Sequence, residues 1–382
     1  MSKGEWRVND MGLEAIRFSF GATDYKHDEV DGLARRAVIG STFLNKLYEA
    51  RGRGAAPTRP DEHSVSCAGA VGTQWYDRRL SAAGEDGILL PPSHTQSIAA
   101  FIFEELQLSK KLRFQAAARI ENDDVDGTAS TFPPNFLPPP DDPTIAPSMR
   151  RFLPISGSVG FLYDLPLGVV ARLTGQHVER APDATELFYK GPRTTRPKPS
   201  KSAPRASLSS RATPPRSASS APRATSASMF RPTTPTFKDF IFKRFTGAKC
   251  DTDFASCAVG GTGPLDQIIY SQKDATFIGA EVLAEQDIGR VWHGVWGIEG
   301  QYDFVHATFS DGTFVPKMPP HRLGGGIYYR DTNWFARLFL LHAFAQNEFA
   351  AFDTPTPGYN LLNGEVRYTF KLDPAGIQWC RK

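Results

Sequence analysis

At 382 residues, with 40% hydrophobic and 12% aromatic side chains, the chain is long enough for two or three soluble domains or for part of one large barrel. Its net charge of +3 comes from one block: residues 192–235 carry nine Lys/Arg and no acid, leaving 35 basic against 41 acidic residues elsewhere. No nucleic-acid partner is expected, because that block offers almost no aromatic rings for bases to stack on. Membrane-spanning helices are excluded too, since no apolar run approaches the roughly 18 residues required and the stretch 334–345 is broken by Arg337 and His342.

Taken in chain order, the apolar residues repeat with a period of two. Residues 13–25 and 41–50 read as a first pair of strands. Residues 95–108 and 111–122 form a hairpin through Ser109 and Lys110. In its second arm Leu112, Phe114, Ala116, Ala118 and Ile120 share one parity, and Arg113, Gln115, Arg119 and Glu121 the other, so the two faces meet different solvents. A long Pro-rich link, 123–150, leads to 151–163 and 167–177, which are joined by Asp164, Leu165 and Pro166. Further on, 267–288 meets 294–309 through a short link, a longer loop spans 311–320, and 322–330 meets 333–346 tightly. A last loop, 349–357, precedes 358–372, where Leu362, Val366, Tyr368, Phe370 and Leu372 oppose Glu365, Arg367, Thr369 and Lys371. About 12 strands can be read in this way, with short and long turns alternating as periplasmic turns and extracellular loops do. The fold expected is all-β: an incomplete antiparallel up-and-down transmembrane β-barrel with a disordered insert.

Strand-bearing regions are 1–50, 68–191 and 236–372. Residues 51–67 read as irregular, 192–235 as disordered from ten Ser, nine Pro, seven Ala and six Thr, and 373–382 as an irregular tail. The block 192–235 has the composition that a shifted frame of GC-rich coding DNA yields, against a flexible linker or a basic arm for acidic partners, and 51–67 looks similar but carries the acids Asp61 and Glu62. Residues 1–10 (MSKGEWRVND) show no signal peptide. Tyr163, Trp296, Tyr328, Tyr329 and Trp334 fall near strand ends, where amphipathic rings suit a lipid–water boundary.

Nothing points to an enzyme or a cofactor, since neither a Gly-x-Ser-x-Gly elbow nor His-Glu-x-x-His occurs. Gly324, Gly325 and Gly326 lack the Lys-Ser/Thr of a phosphate loop and read as a close-packed or bent strand. Asp123, Asp124 and Asp126, followed by Gly127, offer oxygen ligands to a cation, against the plainer reading of a solvated acidic loop. His94 and His306 lie near loop ends where imidazole could capture a metal, although exposed histidines are commonplace. Asp251 and Asp253 form a further candidate beside Cys250 and Cys257, a pair spaced for a short-loop disulfide in an oxidising compartment. Cys67 and Cys380 stand alone.

ERAPDATELFYKGP at 179–192 resembles a hallmark of TonB-dependent outer-membrane receptors, in which a strand ends in an Arg-Ala-Pro stretch followed by Glu-Leu-aromatic. TFKDFIFKRFTG at 236–247, PPHRLGGG at 319–326 and HAFAQNEFAAFDTPTPGYNLLN at 342–363 resemble later parts of the same barrels, most closely those of zinc and related metal receptors. The resemblance implies part of a 22-stranded barrel in a Gram-negative outer membrane. The partners it implies are outer-membrane lipid, the TonB complex, and a metal or metal-chelate ligand. It also implies a plug domain and a TonB box that this sequence does not display, and hence a truncated receptor that is not transport-competent as written. Two other readings stand beside it: a small outer-membrane porin, and a soluble all-β binding protein with a basic disordered arm.

Overall fold

Successive side chains of a strand point to opposite faces, so half-apolar segments of this kind gain most when they share one sheet that divides two environments. The computed structural model describes residues 1–8, 13–31, 38–56, 66–84, 92–130, 145–166, 169–188, 200–202, 207–212, 226–250, 257–263, 265–351, 353–371 and 378–381. Among them are the strands β1 (Ser2–Arg7), β2 (Ala15–Asp31), β3 (Val38–Ala56), β4 (Ser66–Gly84), β5 (Ser93–Gln107), β6 (Leu112–Ser130), β7 (Ile145–Phe152), β8 (Ile155–Asp164), β9 (Val169–Arg180) and β10 (Ser200–Ser202). They continue as β11 (Ser207–Ala212), β12 (Ser226–Thr233), β13 (Thr236–Cys250), β14 (Cys257–Val259), β15 (Leu265–Val291), β16 (Gly294–Phe309), β17 (Arg322–Arg330), β18 (Trp334–Ala343), β19 (Tyr359–Lys371) and β20 (Gln378–Arg381). One short helix, α1 (Ala184–Phe188), follows β9.

Every described strand pairing is antiparallel, and along β1 to β6 and β15 to β20 neighbours in sequence pair directly. β7 and β8 are two pieces of one strand against β6. Asp123 opposes Phe152 and Ile120 opposes Ile155, so the register runs unbroken across Leu153 and Pro154. β12 and β13 likewise both lie along the 27-residue β15. The sheet curls into a half-barrel. Among the described residues β1 pairs only with β2 and β20 only with β19, which makes these the two edges.

The two faces differ as the alternation requires. Ile98, Ile102, Ile120, Val159 and Phe161 line the convex side of β5, β6 and β8, and Ile298, Ile327, Leu338, Leu362 and Val366 that of β16 to β19. They are exposed, with Leu362 at 64% and Val366 at 62%. A soluble sandwich would bury such side chains between two sheets, whereas a transmembrane barrel turns them toward lipid. The concave face carries ion pairs instead. Arg337 Nη2 donates to Glu299 Oε2 at 2.8 Å, Arg322 Nε to Asp303 Oδ2 at 2.9 Å, and Arg330 reaches both Glu285 and Asp287. Of the five boundary aromatics, Tyr163, Trp296, Tyr329 and Trp334 share the apolar face. Tyr328 corrects the expectation, since it points inward and donates to Asp287 Oδ1 at 2.6 Å. Adjacent residues on a strand cannot share a face.

Three segments read as irregular or disordered contain paired strand where the structure describes them, while 57–65, 192–199, 203–206, 213–225 and 373–377 lie outside the described residues. Residues 51–56 are not irregular: they continue β3, with Arg51 opposite Gln74 and Arg53 opposite Gly72. Their parity puts Arg51 on the inner face, where its guanidinium sits 4.7 Å above the Phe101 ring. Within 192–235, the expected disordered insert, β10, β11 and β12 are paired at the backbone level, and β12 matches β15 from Ser226–Gln286 to Thr233–Gly279. Within 373–382, β20 pairs with β19. Backbone groups of a sheet edge bond to any extended neighbour whatever its side chains, so composition did not reveal these pairings.

Candidate functional site

Short turns gather at one end of the sheet, at 109–110, 292–293 and 331–333, and longer connections such as 310–321 and 344–358 at the other. Every described candidate ligand named from the sequence falls at or toward the long-loop end, but these residues do not converge. The run 123–126 is part of β6 rather than a loop, so its carboxylates alternate between faces. Asp123 is buried on the inner face, opposite Ser97, and Asp124 and Asp126 take the outer-face parity, opposite Gln96 and His94 respectively. Asp124 Oδ1 accepts from Arg151 Nε at 2.7 Å. The His94 Nε2 lies 2.7 Å from Asp77 Oδ2, which also accepts from Gln96 Nε2 at 2.9 Å. His306 is on the outer face of β16 with its Nδ1 2.7 Å from Glu348 Oε2. Asp251 and Asp253 lie outside the described residues. The backbones of Cys250 and Cys257 are directly opposed in the β13–β14 hairpin. Among the described residues no group of three or more His, Cys, Asp or Glu is disposed to hold a metal ion.

What the inner face does assemble at this end is built on α1. Asp183 caps the helix, its Oδ1 accepting from the Thr185 backbone N–H at 3.0 Å, while Glu186 Oε2 accepts from the Asp183 N–H at 2.8 Å. The Asp183 carboxylate also accepts from Arg78 Nη1 of β4 at 3.0 Å. Arg180 binds Glu186 with two nitrogens at 2.8 Å each, the bidentate geometry that makes such pairs strong. Phe188 packs with Val125, Phe152 and Ala184 in a buried cluster and lies over Gly127, where a Cβ would stand 2.5 Å from the ring. Beside the helix is a cavity of about 210 Å³ lined by Tyr76, Thr95, Glu121, Asp123, Arg180 and Asp183. It is a polar, mostly acidic space that could accept water or a small polar or cationic group.

Across from it, Phe240, Phe242 and Phe277 pack against a second buried cluster of Ala275, Ala307, Phe309 and Val315. The segment after β16 turns back over this cluster, with the Val315 N–H donating to the Ala307 carbonyl at 3.0 Å. Lys273 pairs with Asp311 in that turn. The Lys273 ammonium, with the Thr313 hydroxyl and N–H, holds the Asp311 carboxyl well below the usual carboxylate range. Sequence reasoning named neither Arg78 nor Asp183. The signal for Asp183 was present, because Asp183-Ala-Thr-Glu186 is a capping pattern. No local pattern marks Arg78, which lies 105 residues away from its partner.

No protein-family model and no curated protein sequence matches the chain. Solved structures do. The copper transporter OprC superposes with a TM-score of 0.68 at 17% identity, over 96% of this chain and 56% of that one. The hemophore receptor HasR of Serratia marcescens, solved with its hemophore HasA and heme, gives 0.65 at 13%, over 97% and 59%. The ferric yersiniabactin uptake receptor FyuA of Yersinia pestis gives 0.62 at 12%, over 96% and 52%. The chain thus spans a little over half the length of these proteins, and its half-barrel has the fold of their barrels.

Proposed function

We propose that the chain forms barrel wall of a TonB-dependent receptor that takes up a metal ion or metal chelate across a Gram-negative outer membrane. The observation that carries the reading is the division of one antiparallel sheet into an apolar convex face and an ion-paired concave face, with short turns at one end and long loops at the other. Lipid is the partner of the first face, and a polar cargo path lies along the second. The names of the neighbouring structures, which concern copper, a ferric siderophore and heme, favour a metal or chelate as cargo and TonB as the energy-coupling partner. Among the residues nominated from the sequence, we assign Asp123 to the cargo path because it alone is described on the inner face. His94, Asp124, Asp126 and His306 belong to the outer wall in this reading, so zinc capture by these histidines is not part of it.

The unpaired sheet edges bear on transport. Strand amides and carbonyls facing hydrocarbon without partners cost several kcal/mol each, so a half-barrel by itself does not insert as a closed pore. We infer that uptake requires further strands to complete the wall. The test is fractionation followed by uptake of radiolabelled zinc, copper and a ferric chelate in a Gram-negative host with and without TonB. Recovery of the chain from the soluble fraction as a folded monomer refutes the membrane reading. TonB-dependent uptake by the chain alone refutes the requirement for further strands.

A further inference from the structure

Arginines of the concave face are mostly matched by carboxylates: Arg113 with Asp164, Arg119 with Glu121, Arg322 with Asp303 and Arg337 with Glu299. The wall formed by β1 to β3 departs from this. Its inward positions make two adjacent rungs, Lys3–Ser19–Arg51 and Glu5–Arg17–Arg53, about 6.6 Å apart along strands that lie about 4.8 Å from one another. In these rungs Lys3, Arg17, Arg51 and Arg53 face a single carboxylate, and that carboxylate is already shared. Glu5 Oε2 accepts from Arg17 Nε at 2.7 Å, and Glu5 Oε1 lies 3.5 Å from Arg7 Nε. Arg51 and Arg53 have no ion pair among the described residues. The six side chains of the two rungs line a cavity of about 510 Å³ on the inner face. Beside it the Phe101 ring extends over Gly72, where a Cβ would stand 2.6 Å from the ring. The Arg51 guanidinium sits 4.7 Å above that ring, a contact that restricts its rotamers and leaves the N–H groups at its rim free to donate.

We propose that this cavity is an oxyanion site for a small molecule bearing at least two carboxylate or phosphate groups. The paired N–H donors of a guanidinium match the two oxygens of either group. One acid group faces Arg17 and Arg53, the other faces Arg51 and Lys3, and the Ser19 hydroxyl stands in the second rung as a neutral donor. Cations held this close repel one another, and a ligand of two or more negative charges relieves that repulsion, whereas a bare metal cation adds to it. The site is open to water, so its attraction weakens as salt is raised. It differs in sign from the acidic cavity beside α1, which makes the inner face of this wall electropositive in its lower part and electronegative toward the long loops.

The proposal goes beyond the uptake reading and stands without it, because binding is measured with no transport step. Isothermal titration calorimetry of the full-length chain in nonionic detergent micelles at low salt, with citrate and separately with pyrophosphate, reads the site. Saturable binding with a Kd on the order of 0.1 mM is expected for one or both, and the tighter of the two names the preferred acid group. Arg51→Gln and Arg53→Gln each weaken it about tenfold, and the double variant about a hundredfold. Arg53→Lys keeps the charge without the planar fork and recovers part of the loss. Arg367→Gln removes a positive charge from the same face at a distant place, above Phe335, and leaves binding unchanged. Far-ultraviolet circular dichroism checks that each variant keeps its sheet. Absence of saturable binding of both anions up to about 10 mM overturns the proposal. So does binding that survives the double variant, and so does an equal loss in Arg367→Gln, which reduces the effect to net charge.

Discussion

Leu338→Arg separates a lipid-facing wall from a water-facing one. Leu338 is on the convex face of β18, paired with Ile327 and Gly364, and is already 48% exposed. It lies between two aromatic rows. Trp334 and Tyr368, 4.7 Å apart, mark the short-turn side, and His342 with Phe344, also 4.7 Å apart, the long-loop side. From Trp334 to Phe344 the strand advances about 33 Å, or roughly 25 Å along the membrane normal at a tilt near 40°, which is the height of an outer-membrane apolar band. Leu338 therefore sits near mid-band, where an arginine costs about 2–4 kcal/mol. In water the same change at a half-exposed position would stay within about 0.5 kcal/mol. The neighbouring Arg337, one residue along, is tolerated because it turns inward to Glu299. Equilibrium unfolding in lipid vesicles of a closed barrel in which further strands complete this wall, read by tryptophan fluorescence, measures the difference. A change below about 0.5 kcal/mol for Leu338→Arg would refute the assignment of this face to lipid.

Gly324 and Gly326 sit under the Phe339 ring, with Cβ positions 2.5 and 2.7 Å from it, so Gly324→Val forces the ring out and lowers the unfolding free energy by about 1–3 kcal/mol, again read by fluorescence. Asp311 contributes stability that is present above its unfolded pKa and lost as pH falls through its depressed folded value. Acidification below about pH 4 accordingly loosens the turn after β16, which limited proteolysis detects, and Asp311→Asn removes the pH dependence. In an exported chain, alkylation before and after reduction is expected to show two additional reactive thiols only after reduction, the signature of a Cys250–Cys257 disulfide. Reading the encoding DNA of 51–67 and 192–235 in shifted frames yields alternating segments, and their absence in every frame refutes the shifted-frame reading.

Where apolar and polar residues alternate cleanly, as in Leu112 to Ile120 against Arg113 to Glu121, the strand, its pairing and its two faces are legible in the sequence. β3 was cut short at residue 50 because Arg51, Gly52, Arg53 and Gly54 look like a loop. They form strand because the inner face accepts arginine and the outer face needs no bulk. Asp123, Asp124 and Asp126 looked like one cation site, but an extended backbone turns the first away from the other two. The candidate site around Arg78, Asp183 and Phe188 depends on chain segments brought together by the curl of the sheet, and distances of that kind leave no local trace in a sequence.

The strands differ greatly in length. β3, β4 and β6 have 19 residues each, whereas β17 and β18 have 9 and 10. On β6 the outward apolar series ends at Ile120, and the ten residues that follow continue past the lipid with Asp124 turned outward. At about 3.3 Å per residue and a tilt near 40° these ten residues add some 25 Å to the height of the wall on this side, whereas β17 and β18 give way to the connections 310–321 and 344–358. In the proposed receptor a bulky solute therefore meets rigid strand along β3 to β6 and loop above β17 and β18, so the two sides of this wall present different obstacles to it.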